Sequence, residues 1–541
     1  MGRGMADSSH TTPDARTTAV LATATGVAVV GLWAGLYQAN LTPYPPFDLA
    51  DLLIRIAPGD AATWAIETFG HLAQRLLLAF GVLIWIAAWP LVALSTGHRK
   101  LSVCATAAGG SLVAALALAR WAGEADSAGR LLWLAVAFGG SAALGGFLLY
   151  RLLDTLEVLR SEQHRAALES WLYQPGDAGR RQLLRQAALV AFGLGIGGLA
   201  VGRIGGAILR PDAPTAAGQA LTSVQAADAA PGATPAGEVI PDSGDFPVPE
   251  GIPPRYTPNE NFYLVDISTR DPNIVEDSWS LTIGGLVERE IMFGWQDLLA
   301  LPAVEQDGTL MCISFTYDSG LISTTRWTGV PLRDVLQKAG IQDGVVDLVC
   351  NGAGGYSDSI PLAKALEPTT LLVYGMNGTT LPRSHGFPCR LYVPNLYGEK
   401  NVKWLERIEL VDHNYEGYWQ ERGWTDDATI QVISTIETPR GTVQPDADGI
   451  VPLGGIAFAG SRGIERVDVR IDDGEWLATE VEPYEPAFVW QRWRYDWHAP
   501  TGEHRVTVRA VDGAGQVQIE AEADPHPNGM TGYQSVRLVV A

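Results

Sequence analysis

Between residues 385 and 404 the chain sets an imidazole, His385, five residues ahead of a guanidinium, Arg390, and then adds an ammonium, Lys403. Alternating apolar residues, Leu391 and Val393, read as a short strand behind Arg390. The loop Tyr397-Gly398-Glu399-Lys400-Asn401 follows, and its glycine lets backbone N–H groups approach a ligand closely. A forked guanidinium, an ammonium, an imidazole and open amides so near one another make a receptor for an anionic, hydrogen-bond-rich molecule. Taken singly, each piece is an ordinary turn or strand end; their order and spacing set them apart. A further reactive side chain, Cys312, stands at the end of an apolar run and before a polar loop. By residue type alone, a lone cysteine there is a small buried hydrophobe.

These groups need elements to hold them. A chain of 541 residues exceeds a single core, and three or four units are expected. From about 249 to 428 the pattern is mixed α and β: WSLTIGGLV (279–287) is a strand running into a Gly-Gly turn, and WTGVPLRDVLQKAG (327–340) is a turn, a Pro-started helix and a Gly stop. Residues 429–541 switch to alternating strands with turn signals, as in VDVRIDDGEW and HRVTVRAVDGAGQVQIE, which predicts an immunoglobulin-like β-sandwich. Residues 211–248, rich in Ala, Pro, Gly and Thr, are expected to be a flexible tether.

Residues 1–210 read as a membrane domain. Apolar runs at 17–37, 71–95, 101–119, 131–150 and 186–208 are each near the about 20 residues that cross a bilayer. The first has no small-x-small cleavage site before Gln38, so it reads as a helix rather than a signal peptide. Six arginines in 151–185, with Arg99 and Lys100 after the second run, place those loops in the cytoplasm, the N-terminus with them, and everything after residue 210 outside. The second span carries Arg75 near its start; His71, His98 and His164 lie at helix edges or in loops, and no Cys-x-x-Cys-His occurs. The expectation is an anchor without haem or other redox centre. Arg180-Arg181, ahead of a Gly-rich apolar run, are similar to a twin-arginine export signal for folded proteins. Charge is divided unequally: residues 1–210 hold 16 basic and 13 acidic side chains, the remainder 22 and 47. So acidic an outer part repels phosphate backbones and excludes nucleic acid as a partner. Four widely spaced cysteines form neither a disulfide framework nor a zinc site.

From about residue 255 onward the chain resembles the sulfite-oxidase family of molybdenum enzymes. HGFPCR (385–390), VPN (393–395) and NVKW (401–404) stand where that family has His-Gly-x-Pro-x-Arg, Val-Pro-Gly and Val-Lys-Trp. Asn395 replaces the usual glycine, and asparagine tolerates the left-handed backbone. Behind the five-helix transmembrane anchor read from the apolar runs, the resemblance implies an α+β molybdopterin domain and a C-terminal sandwich of dimerisation type, hence a multi-domain protein and a homodimer. It implies molybdenum–molybdopterin as cofactor, with Cys312, ahead of Trp327-Thr328-Gly329-Val330, as ligand of the metal. It implies contacts to the pterin from Tyr263, Leu264, Asn351, His385, Arg390, Asn401, Val402 and Lys403. Cys350 and Cys389 are left as core residues, with Cys104 in a membrane helix.

Three departures bear on the substrate. Val265 stands where sulfite oxidases have an arginine. Ile313-Ser314-Phe315-Thr316-Tyr317 replaces their x-Gly-Asn-Arg-Arg, and Trp424 takes the place of their active-site tyrosine. A dianion needs cationic donors, and these positions supply none. The expected activity is therefore oxygen-atom transfer on another small substrate outside the membrane, with Cys312, Arg390 and Trp424 at the reacting centre and a separate electron carrier. Sulfite oxidation itself is one competing reading. A non-catalytic membrane receptor that keeps the cofactor fold is the other, and a retained thiol argues against it.

Overall fold

A computed structural model of the chain describes residues 15–38, 42–56, 71–95, 100–121, 128–159, 216–221, 246–267, 271–483 and 487–541. They group into a helical unit and a unit containing Thr215–Ala541.

The helical unit contains α1 (Ala15–Gln38), α2 (Pro45–Ile56), α3 (His71–Ser95), α4 (Lys100–Trp121) and α5 (Ala128–Leu159). Its core is aromatic: Trp33 donates from Nε1 to Ser141 Oγ at 2.7 Å and meets Trp85 and Phe138 edge-on. The outside is apolar as well, with Phe80, Leu83, Leu91, Val113, Leu132 and Phe147 exposed. The sequence predicted five spans. Among the described residues one stretch, Leu131–Arg151, is a helix long and apolar enough to cross a membrane. Leu21–Tyr37, Leu76–Val92 and Gly109–Ala119 are shorter. The Thr23 and Thr25 hydroxyls of α1 bond back to the Ala19 and Leu21 carbonyls. The expected fifth span (186–208) and Arg180-Arg181 lie outside the described residues. The amphipathic α2 was not anticipated; Phe47 and the neighbouring Tyr44 pack on Tyr37 of α1.

In the second unit two sheets carry the α+β part. One has the order β2 (Ile291–Gly294), β1 (Ser280–Gly285), β10 (Leu405–Val411), β5 (Asp347–Gly352), β6 (Ser357–Pro361), with β1 and β10 parallel. The other runs β3 (Val304–Met311), β4 (Ile322–Pro331), β7 (Leu371–Met376), β8 (Thr379–Thr380), with β9 (Arg390–Tyr392) also pairing with β7. The helix read from the sequence forms at Leu332–Ala339. It buries Leu332, Val335, Leu336 and Ala339 at helical spacing and stops at Gly340, whose φ is +73°. Two features position the site. β3 delivers Cys312 at its C-terminal end, and β9 opens on Arg390, so the 393–404 loop must turn back before β10.

The C-terminal region forms two sheets around a shared core that includes Val469, Trp493, Val508 and Leu538. Its strands pair antiparallel except Gly441–Val443, which runs parallel to Gln534–Val540. A second core joins this region to the α+β part, with Met311, Ile313 and Phe315 packed among Ile456, Phe458 and Trp490. Part of the expected tether is ordered: Ala220 bridges to Thr379, and the Gly218 N–H donates to the Leu381 carbonyl. The reason is the open edge of β8, whose unpaired backbone groups accept another strand.

Candidate active site

The strand ends and loops converge on a cleft with an empty volume of about 930 Å³, its open mouth included. Eight of the ten site residues expected from the sequence line it: Tyr263, Leu264, Cys312, His385, Arg390, Asn401, Lys403 and Trp424. The other two do not. Asn351 sits in β5 between Arg407 and Ser357, and Val402 is buried, its carbonyl accepting the Leu391 N–H.

One end of the cleft is cationic. Arg390 donates to the carbonyls of His385 and Asn401, each at 3.1 Å, and its third nitrogen, Nε, is buried with no hydrogen-bond partner. Burial lowers its pKa to about 10. His385 Nε2 lies 3.0 Å from the Asn259 carbonyl, so that nitrogen carries the proton. Burial, and then the Arg390 charge, hold the imidazole pKa down to about 4, which makes it neutral. Lys403 bonds to the Ser384 carbonyl, pairs with Asp266 and lies over the Trp404 ring; burial lowers its pKa. Gly386, at φ +108°, lets the turn pass close to both cations: a Cβ there would sit 3.1 Å from the Cβ atoms of Arg390 and Lys403. Asn401 is structural, tying Val393 N–H (2.7 Å) to the Tyr397 carbonyl (3.0 Å). Asn395 adopts the left-handed backbone expected, φ +72°, and its Oδ1 accepts from Ser461 N–H and Arg462.

The other end holds the thiol. Cys312 is buried, its Sγ 3.0 Å from Ser314 Oγ, and burial pushes its pKa up to about 11. Ile313, Trp419 and Trp424 wall this end, with Glu399. The Glu399 carboxyl is 8 % exposed, neither oxygen has a partner, and burial raises its pKa to about 8. The reading of the sequence missed Glu399, Tyr356, Asp266 and Trp419. A carboxylate inside a loop built for an anion was the available signal for Glu399; the rest depend on which strands the fold brings together.

A model of the oxidoreductase molybdopterin-binding domain matches residues 268–419, and a model of the Mo-co oxidoreductase dimerisation domain matches 422–529. Sulfite oxidase of Gallus gallus is 31 % identical over 320 residues, 49 % of this chain and 69 % of that one. The chain belongs to the sulfite oxidase family of molybdopterin oxidoreductases. Mitochondrial sulfite oxidase of Rattus norvegicus is 30 % identical over 331 residues, and the chain spans about 60 % of that relative's length. An oxidoreductase of Bacillus subtilis, YuiH, is 31 % identical over 175 residues, 32 % of this chain and 85 % of that one. The protein is thus an oxidoreductase, and molybdopterin is its cofactor. The cleft fits that group on its own chemistry. It offers a soft thiol at one end and hydrogen-bond donors at the other, and it contains an orphaned buried guanidinium nitrogen that costs roughly 1–3 kcal/mol until something accepts from it.

Proposed function

We propose that this oxidoreductase transfers an oxygen atom to or from a small uncharged substrate and is a poor sulfite oxidase. The observation that carries this reading is the wall around Cys312. Ile313, Trp419, Trp424 and an unpaired carboxyl, Glu399, stand there, while Arg390 and Lys403 are committed at the other end of the cleft. Sulfite beside Glu399 would be a dianion in a buried site where Ile313, Trp419 and Trp424 offer it no cationic donor. Val265 also lines the cleft and adds no charge.

In this reading Cys312 holds the metal once its proton leaves, which a bound cation would favour against the effect of burial. Arg390, His385 and Lys403 grip the pterin and its phosphate. Neutral His385 presents its free nitrogen as an acceptor, and Arg390 turns its spare N–H toward the ligand. Trp419 and Trp424 keep water from the reacting end. Bound there, the cofactor supplies two-electron chemistry coupled to oxygen-atom exchange. Electrons pass singly to or from a separate carrier. The immunoglobulin-like C-terminal region serves homodimerisation, as the description of its matching domain suggests. The helical unit anchors the protein in the membrane as a multi-pass bundle, with the catalytic unit outside. Its apolar exterior supports this, since an exposed face of large hydrophobes calls for a nonaqueous surrounding.

Steady-state turnover of the purified, metal-loaded enzyme decides the matter. With reduced methyl viologen, dimethyl sulfoxide or trimethylamine N-oxide should be consumed. With ferricyanide, sulfite should react at a kcat/KM well under the 10⁴–10⁸ M⁻¹s⁻¹ typical of good enzymes. Cys312→Ser should abolish turnover while retaining the pterin. Efficient sulfite oxidation, or full activity of Cys312→Ser, overturns the reading.

A further inference from the structure

Oxygen-atom transfer moves protons as well as electrons. Reduction of an oxide balances as XO + 2 H⁺ + 2 e⁻ → X + H₂O, with the electrons from a one-electron donor, and the reverse reaction releases both protons. The end of the cleft next to Cys312 is walled by Ile313, Trp419 and Trp424, none of which carries an ionisable proton, and by Glu399, whose buried carboxyl has no hydrogen-bond partner through which to reload from solvent.

A hydrogen-bonded line of ionisable groups leads to that cleft. Asp426, with a side chain 36 % exposed, accepts from Lys400 Nζ at 2.7 Å. The same Nζ donates to Asp358 Oδ1 at 2.9 Å, and both of those side chains are almost wholly buried, at 1 % and 0 % exposure. The other Asp358 oxygen accepts from Tyr356 Oη at 2.9 Å, and Tyr356 lines the cleft. Three elements place these groups. Asp358 comes from β6 and Tyr356 from the residue just before that strand, Lys400 from the 398–400 turn, and Asp426 from the segment after Trp424. We propose that Asp426, Lys400, Asp358 and Tyr356 form a proton relay between solvent and the substrate end of the cleft, a role that rests on the oxygen-atom-transfer reading above.

Water protonates Asp426, which gives a proton to Lys400 as Lys400 gives one to Asp358; the Asp358 carboxyl then turns so that this proton faces Tyr356, which takes it as it gives its own hydroxyl proton into the cleft, and each group ends as it began after one net transfer. An ion pair kept only for stability needs a single carboxylate, yet this ammonium bridges two, one open to water and one sealed. Sealing the Lys400 ammonium and the Asp358 carboxylate costs more than a well-packed apolar contact would. Burial, the largest influence on Asp358, raises its pKa and so brings its protonated form within reach. The other titratable groups facing it are Glu399 from the turn and Cys350 from β5.

The test uses the full-chain holoenzyme in detergent, matched for metal content. Oxidised enzyme is mixed rapidly with reduced methyl viologen, whose own oxidation moves no proton, and proton uptake is followed with an indicator dye in weak buffer. Lys400→Ala should slow proton uptake at least about tenfold, and added methylammonium should restore it. Asp426→Asn, at the open end, should slow uptake several-fold even if Lys400→Ala fails to load metal. Proton uptake that keeps its wild-type rate in Asp426→Asn or in metal-loaded Lys400→Ala, or a slow Lys400→Ala that methylammonium does not rescue, overturns the relay. Wild-type enzyme that reduces without taking up protons overturns it as well. Turnover of dimethyl sulfoxide is measured alongside. Its failure in wild type, with proton uptake and rescue behaving as expected, would sink the substrate reading and leave the relay standing.

Discussion

His385 illustrates how one side chain's surroundings set its chemistry. An imidazole beside two cations and sealed from water is kept neutral, with a pKa near 4 against 6.5 for an ordinary histidine. Between those values the unfolded chain binds a proton that the folded chain refuses, so folding stability rises with pH over that window. The contribution is complete above about pH 6.5 and fades as pH falls toward 4; its size is on the order of 3 kcal/mol at most. Thermal unfolding of the catalytic unit in the full chain, compared at pH 4.5 and pH 7, should show a steeper acid loss for wild type than for His385→Gln. Equal slopes would mean the ring is not held neutral. His385, Arg390, Lys403 and Cys312 were legible in the sequence because they sit in a motif whose order is itself the signal. Asp358 was not, since its meaning lies in Lys400 and Tyr356, which β6 and the 398–400 turn bring to it.

At the scale of elements, the turn from His385 to Arg390 depends on its glycine. Gly386→Ala puts a methyl into a left-handed backbone and within 3.1 Å of two side chains that must stay put. Strain of that kind costs roughly 1–3 kcal/mol. The variant is expected to melt earlier by that margin and to retain less molybdenum on purification. Unchanged metal content would show that the turn tolerates displacement. Asn395 is the instructive contrast. The asparagine was expected only to survive a glycine's conformation, yet its carbonyl oxygen also collects Ser461 and Arg462 from the C-terminal region. Local patterns such as the Pro-started, Gly-stopped helix at 332–339 can be read from sequence because neighbours in the chain decide them. The ordered stretch at 216–221 could not, because a distant open edge decides it.

For the whole molecule, the proposed membrane anchor and the joint between the α+β and C-terminal regions carry consequences. A bundle clothed in exposed Phe80, Leu83, Val113, Leu132 and Phe147 should stay with the membrane pellet after alkaline carbonate washing. Release into the supernatant would refute the anchor. Five spans were expected from apolar runs; among the described residues Leu131–Arg151 is long and apolar enough to cross a membrane, and the fifth run lies outside them. The joint between the α+β and C-terminal regions was invisible in the sequence. Tyr317, five residues past Cys312 in sequence, donates to the Gly532 carbonyl at 2.6 Å and lies 3.3 Å from Gln518 Nε2, while the Trp490 N–H donates to Thr309 Oγ1 near the end of β3. The loop that shapes the reacting end is thus nailed to the neighbouring sandwich. Chimeras that trade this sandwich for a relative's would carry mismatched seams into the pocket itself. The two regions are therefore constrained to change as one inherited unit rather than as exchangeable parts.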